Sequence, residues 1–277
     1  MIRTAAILAR GLGSRMRRSD AIAHVDERQA QVANSGVKGM IPIATHQSVS
    51  PAQPFLDFVI SALADAGIAR VVLVLGPEHD AVRLYYAPTE PPRRTRITFA
   101  MQREPIGTAN AVVCAAEAID DRAFLVVNAD NYYPTDALRL LVASDQAATI
   151  AFDRDALVRD GNIDAERVRA FAVLSISDDD RLLGLLEKPG LTLDLAAPEA
   201  RWVGMNCWAV TPDIVDACER VPKSARGEYE LPEAVALAVR EGVEVRAYRV
   251  TMPVLDLSQR GDIASVVLAL ATVDARP

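Results

Sequence analysis

The sequence predicts an α/β protein built on a mostly parallel sheet flanked by helices. Three observations carry that reading: short apolar runs that end near Gly or Asp, helical stretches between them, and a length of 277 residues, enough to bury a substantial core. Strands that are apolar at consecutive positions suit a sheet covered on both faces.

Thr4 to Ala9 reads as the first buried strand, because Ile7 and Leu8 sit among alanines without helical spacing and the run stops at Gly11. Ile60 to Ala66 reads as a helix closed by Gly67, "VVLVLG" (Val71 to Gly76) as a buried strand, and "RITFAMQ" (Arg96 to Gln102) as a strand of alternating character. "TANAVVCAAEAI" (Thr108 to Ile119) reads as an alanine-rich helix and "AFLVVNAD" (Ala123 to Asp130) as another buried strand. Ligands of such sheets sit beyond the carboxyl ends of the strands. The second half is more β-rich. "VRAFAVLSIS" and "RLLGLLEKP" read as paired strands around the turn Asp178 to Asp180, "WVGMNCWAV" as a further strand, and "LPEAVALAVREG" as a helix from Pro232 to Gly242. Residues 87 to 95 read as a proline-rich surface loop. No repeat of fixed period is present, so a β-helix tail is not expected, and residues 1–277 are expected to form one domain with halves at about 1–135 and 136–277.

Composition bounds the function. With 51% hydrophobic and 24% charged residues, and no apolar run near the roughly 20 residues of a membrane span, a globular cytoplasmic protein is expected, not a membrane protein. Arg3, Arg10 and Arg15 interrupt any secretory-signal core. Cys114, Cys207 and Cys218 are an odd number without close spacing, which suggests neither a disulfide framework nor zinc. His24, His46 and His79 lack metal-ligand spacing as well. A net charge of -7 argues against a general nucleic-acid binder while leaving room for a local basic pocket.

The chemistry starts at "AAILARGLGSRM", residues 5 to 16. A Gly-x-Gly turn straight after a strand lets main-chain N–H groups converge on an anion, and Arg15 adds a planar charged fork, so a phosphate is the natural guest. A dinucleotide fold is the rival reading, but it wants a third glycine where this chain has Met16.

Four elements then follow in order: the loop Gly11 to Arg15, "QREPIGTANAV" (Gln102 to Val112), "NADNYYP" (Asn128 to Pro134) and "LEKP" (Leu186 to Pro189). With "VKGMIPI" at Val37 to Ile43, "RGEYELPEAVALAV" at Arg226 to Val239 and "VLDLSQRGDI" at Val254 to Ile263, this order resembles the sugar-1-phosphate nucleotidyltransferases, the NDP-sugar pyrophosphorylases, over nearly the whole chain. That family begins roughly L-A-x-G-x-G-[ST]-R-[ML] and closes with W-x-D-[IV]-G-T-P-x-[DE]-[LI]. The resemblance implies a Rossmann-like fold with a small β-rich sugar-binding part. It also implies transfer of a nucleotidyl group from a nucleoside triphosphate to a sugar 1-phosphate, with glucose 1-phosphate and UTP or dTTP favoured, and mannose 1-phosphate with GTP as the alternative.

The site residues follow from the resemblance and from their chemistry. Arg15 and Lys38 brace the triphosphate and the charge developing during attack. Leu8, Ala9, Gly11, Gly13, Gln102, Gly107 and Thr108 are the nucleotide-binding candidates, with the Gln102 amide suited to reading a base edge. Clustered phosphates need Mg²⁺ held by hard carboxylates, for which Asp130 at a strand's end and, by resemblance, Asp256 are the candidates. Glu187 and Lys188 resemble the family's sugar-hydroxyl acceptor and sugar-phosphate clamp, and Ala172, Gly204 and Asn206 fall at its other sugar-contacting positions.

Three departures stand out. Residues 17 to 36 lengthen the stretch between Arg15 and Lys38, and read as a charged surface lid. Val37 replaces a proline, and Ala172 replaces a glycine beside an altered "VGMNCW" segment. A catalytically weak regulatory subunit of the same fold and an NAD(P)-dependent oxidoreductase stay open at this point, as does a homo-oligomer.

Overall fold

The computed structural model describes residues 1–18, 20, 23–46, 52–87, 94–187 and 197–277. Nine strands form one sheet: β1 (Thr4–Leu8), β2 (Arg70–Leu75), β3 (Arg96–Met101), β4 (Phe124–Asn128), β5 (Ala148–Asp153), β6 (Ala172–Ile176), β7 (Leu182–Leu186), β8 (Trp202–Val210) and β9 (Arg246–Val250). Their order is β7-β6-β8-β4-β1-β2-β3, with β5 paired to β8 and β9 to β5. The first half is parallel, β4 to β1 to β2 to β3, and β8 runs antiparallel to β4, β5 and β6.

Alternate residues of each central strand enter different layers, which explains the unbroken apolar runs. Ala5, Ile7, Val71, Leu73, Leu75, Leu125 and Val127 face one core, while Ala6, Val72, Val74 and Val126 face the other. Among the described residues the helices are α1 (Ser14–Arg17), α2 (Glu27–Ser35), α3 (Phe55–Asp65), α4 (Asp80–Tyr86), α5 (Thr108–Ala116), α6 (Thr135–Val142), α7 (Arg154–Arg159), α8 (Pro212–Arg220), α9 (Leu231–Arg240) and α10 (Asp262–Leu270). Helices α3, α6 and α10 cover the first face, and α5, α8 and α9 the second. This is the mixed, mostly parallel sheet with flanking helices that the sequence predicts.

Differences are informative. Helix α3 starts at Phe55 rather than Ile60, because Phe55, Leu56, Phe58 and Val59 are all buried against the sheet. β3 is the edge strand and is only partly covered, hence its mixed polarity. The lid expected at 17 to 36 contains a helix: Asp26 and Gln29 make a reciprocal capping box at the start of α2, and Gly36 closes it with φ 80°. Gln29 also donates to the Pro42 carbonyl at 3.1 Å, fastening α2 to the chain beyond Lys38. Met16, at the position where a dinucleotide fold wants glycine, is fully buried in the core beneath α1. Residues 88–93 of the expected loop, and Lys188 and Pro189, lie outside the described residues. No helix among the described residues is long and apolar enough to cross a membrane.

Candidate active site

The carboxyl ends of β1, β2, β3 and β4 point to one side, and the segments leaving them enclose a cavity of about 370 Å³. Leu8 and Ala9 end β1 at its wall, followed by the loop Gly11 to Arg15. Gly13 has φ 61°, and a Cβ there would lie 2.1 Å from the Gly36 carbonyl oxygen, so two glycines are needed where this loop meets the end of α2. That contact brings the turn after α2, with Lys38, into the cavity despite the length of the inserted stretch. Arg15 lines the cavity from α1 and stays exposed.

Gln102 follows β3, its N–H held by the Leu75 carbonyl at 2.9 Å. Its side chain is 3% exposed and fixed in orientation: Nε2 donates to the Gly107 carbonyl at 2.9 Å and to Asn110 Oδ1 at 3.0 Å. A carbonyl can only accept, so Oε1 is the atom left for a ligand. Gly107 has φ 122°, and a Cβ there would meet the Tyr229 carbonyl at 2.3 Å. Thr108 lines the cavity too, yet its hydroxyl accepts the Leu231 N–H at 2.8 Å and so braces the segment 226–231.

Asp130 sits just past β4, with Oδ2 2.6 Å from Lys38 Nζ. The chain near its other end returns to it: Leu255–Asp256 pairs antiparallel with Asn131–Tyr132, and Leu257 N donates to the Asp130 carbonyl at 2.8 Å. Asp256 is thereby placed beside Asp130, 2% exposed. Its Oδ1 accepts from Asn131 at 3.0 Å and Ser258 at 2.9 Å, and its Oδ2 pairs with Arg167, whose Nη1 also reaches Asp262 at 2.6 Å. Burial, and after it the charge of Asp130, push the Asp256 carboxyl up to about 6.

The sugar-side candidates lie on or just past three neighbouring strands, β7, β6 and β8. Ala172 opens β6 and pairs with Gly204 on β8, while Glu187 follows β7 where it runs antiparallel to β6. Between Gly204 and Trp208 the register of β8 shifts, and Asn206 in that bulge adopts φ 52° and lines the cavity. Ala172 and Gly204 are buried in the sheet, and neither they nor Glu187 line it. Lys188 falls outside the described residues.

Two of the arginines passed over by the sequence reading stand out. Arg167 is one, tied to Asp256 from far along the chain. Arg10 is the other: it stands between Ala9 and Gly11, lines the cavity, and is 9% exposed, with Nε and Nη1 buried and lacking a hydrogen-bond partner. An unmet buried donor costs about 1–3 kcal/mol, more for a charged group. The signal was present as a lone cation at the end of an apolar run.

A family model described as "Nucleotidyl transferase" matches residues 38–252. A UTP–glucose-1-phosphate uridylyltransferase of Haloferax volcanii is 27% identical over 259 residues, covering 93% of this chain and 92% of the relative. A glucose-1-phosphate thymidylyltransferase of Streptomyces griseus is 25% identical over 248 residues, covering 88% of this chain and 59% of the relative. Several of the curated relatives are longer, the chain spanning between 45% and 59% of them. Among solved structures, a UDP-glucose pyrophosphorylase complexed with UDP-glucose superposes with a TM-score of 0.73 at 15% identity, covering 97% of this chain and 98% of the other.

Proposed function

The chain belongs to the nucleotidyl transferase family, and on that premise we propose that it transfers a nucleotidyl group from a nucleoside triphosphate to a sugar 1-phosphate, releasing pyrophosphate. Glucose 1-phosphate with UTP or dTTP is the favoured pair, in line with the names of its relatives. The observation that carries the reading is the single cavity at the strand ends that gathers the glycine loop, Arg15, Lys38, Gln102 and Asp130.

A sugar phosphate is already an anionic nucleophile, so the site needs no general base. Its oxygen attacks the α-phosphorus in line, the bond from that phosphorus to the bridging oxygen breaks, and pyrophosphate leaves. Catalysis is then positioning and charge neutralisation. The Gly11 to Gly13 backbone approaches the phosphates, Arg15 offers its exposed fork, and Lys38 turns from Asp130 to the phosphate oxygens. Gln102 and Gly107 receive the base, and Asn206 with Glu187 the sugar.

The donor chemistry fits a divalent cation, Mg²⁺ in this reading. Asp130 and Asp256 are hard oxygen donors side by side, and the charge of one raises the carboxyl of the other, a repulsion that a shared cation relieves. When bound, such an ion neutralises and orients phosphate oxygens. Asp130 would hold it at the cavity wall, and Asp256 would do so on exchanging Arg167. The need for nucleoside triphosphates supports the cytoplasm as its location, and we read residues 1–277 as one nucleotidyltransferase domain.

The test is a pyrophosphate-release screen of five nucleoside triphosphates against sugar 1-phosphates, with and without Mg²⁺. Release with glucose 1-phosphate and UTP or dTTP is expected. Release only with mannose 1-phosphate and GTP would correct the substrate, and none with any pair would make the chain a binding subunit of this fold.

A further inference from the structure

We infer that Arg10 is a second reader of the nucleobase, a donor that selects bases carrying a carbonyl beside a ring N–H. The inference rests on the reading above, that the cavity takes a nucleoside triphosphate, and it deepens that reading to a class of base.

The Arg10 side chain reaches to the β2 side of β1, whereas Asp130 follows β4 on the other side of β1. Arg10 leaves β1 and crosses β2, where its Nε lies so close to Gly76 that a Cβ there would be 2.2 Å away. Gly76 follows Leu75, the residue whose carbonyl holds Gln102 N, so Arg10 from the end of β1 and Gln102 from the end of β3 flank the end of β2 and line the same cavity. The guanidinium side chain is 7% exposed. Only Nη2 is engaged, by Glu78 at 3.3 Å, and Nε and Nη1 are buried without partners. Its other neighbour adds no charge to satisfy it: His79 accepts the Gly76 N–H through Nδ1, and burial keeps that imidazole neutral. A buried cation with two idle donors beside a binding cavity is a group waiting for an acceptor.

The acceptor follows from what Gln102 leaves free. Its Nε2 is spent on Gly107 and Asn110, so Oε1 faces the ligand and accepts a ring N–H. A base with N–H at that position has a carbonyl oxygen next to it, and a turn of the Arg10 side chain away from Gly76 brings its donors to that oxygen. Uracil and thymine present the pair as N3–H and O4, guanine as N1–H and O6. Cytosine and adenine present a bare ring nitrogen and an amino group, which would oppose Gln102 Oε1 with a lone pair and Arg10 with donors.

Calorimetric binding of UTP, GTP, CTP and ATP to wild-type protein, R10A and R10M tests this. R10M keeps the apolar stem over Gly76 and removes the guanidinium alone, so it decides the matter should R10A fail to fold. Wild type is expected to bind UTP more tightly than CTP, and the variants to lose about 10-fold for UTP and little for CTP, so that the preference collapses. Equal losses for all four nucleotides would place Arg10 on the phosphates, and unchanged affinities would make it structural; either overturns the inference while leaving the transferase reading intact. Failure of wild type to bind any of the four, and dTTP as well, would instead overturn the transferase reading, and this inference with it.

Discussion

Lys38 Nζ lies 2.6 Å from Asp130 Oδ2 at the wall of the cavity. In the proposed reaction these two opposite charges would neutralise each other until substrate arrives, and each would then change partner. Asp130→Asn keeps the shape and removes the charge, and with the side chain 24% exposed it is expected to cost the fold little. Turnover is expected to fall about 10²–10³-fold with the melting temperature unchanged. Because the pair acts together, Lys38→Met combined with Asp130→Asn is expected to be little worse than the poorer single variant. Additive losses in pyrophosphate release would show that the two residues act independently.

Asp256 behaves differently, because Arg167 depends on it. Its replacement by Asn leaves a largely buried guanidinium with Asp262 as its remaining carboxylate partner. Loss of one member of a buried pair destabilises by up to about 3–5 kcal/mol, and Asp262 softens that here. Asp256→Asn is expected to lower both the melting temperature and turnover. Adding Arg167→Met is expected to restore much of the melting temperature but none of the turnover, since the carboxamide at 256 still offers a cation no charge. Recovery of turnover in the double variant would remove Asp256 from cation binding.

His79 supplies a pH dependence of stability. Burial lowers its pKa from the ordinary 6.5, with the neighbouring Arg10 and Arg83 charges acting the same way. A group whose folded pKa is depressed contributes stability above its unfolded value and loses it as pH falls. Stability should therefore drop as pH goes below 6.5 and through the lower folded value. Asp256, raised above its unfolded value, titrates with the opposite sign. The readout is accordingly the difference between wild type and His79→Gln in thermal melts at neutral and acid pH. Parallel curves would show that His79 does not titrate in this range.

Gly13→Ala tests the loop itself. The residue sits at φ 61° and its Cβ would lie 2.1 Å from the Gly36 carbonyl, so two backbones must part. A cost above 1 kcal/mol, of the order of special-φ strain, is expected together with a severe loss of turnover. An unaltered melting temperature would mean that the glycine loop and α2 do not meet as described.

How far the sequence reached follows from the range of each interaction. The central strands were legible because a sheet covered on both faces asks for apolar residues at every position, as Val71 to Leu75 shows. Gly13, Gln102 and Asp130 were legible because turn and strand-end chemistry is local. The capping box Asp26 to Gln29 was equally local, yet the charge around it favoured a lid over α2. Arg167 was not legible, since its partner lies 89 positions along the chain. Arg10 was hidden by attention to the two glycines that follow it. The bulge at Asn206 was obscured because a register shift needs the partner strands, and three of them meet at β8.

Asn206 allows the sugar end to be tested apart from the nucleotide end. It adopts φ 52° in the bulge between Gly204 and Trp208, a region where an asparagine is tolerated and glycine is easier. Asn206→Gly therefore removes the side chain that lines the cavity without straining the backbone. It gives up only the long 3.4 Å contact from Trp208 Nε1, and the Asn206 carbonyl still accepts from Tyr133. The melting temperature should hold. If Asn206 meets the sugar, KM for the sugar 1-phosphate should rise about 10-fold, the loss from one polar contact to a charged or hydroxylated ligand, while KM for the triphosphate stays put. Asn206→Ala carries the same loss of side chain plus the strain of a Cβ at positive φ, so it should match Asn206→Gly in KM but fall below it in stability. A shift in the triphosphate KM alone would assign Asn206 to the nucleotide and remove it from the sugar end.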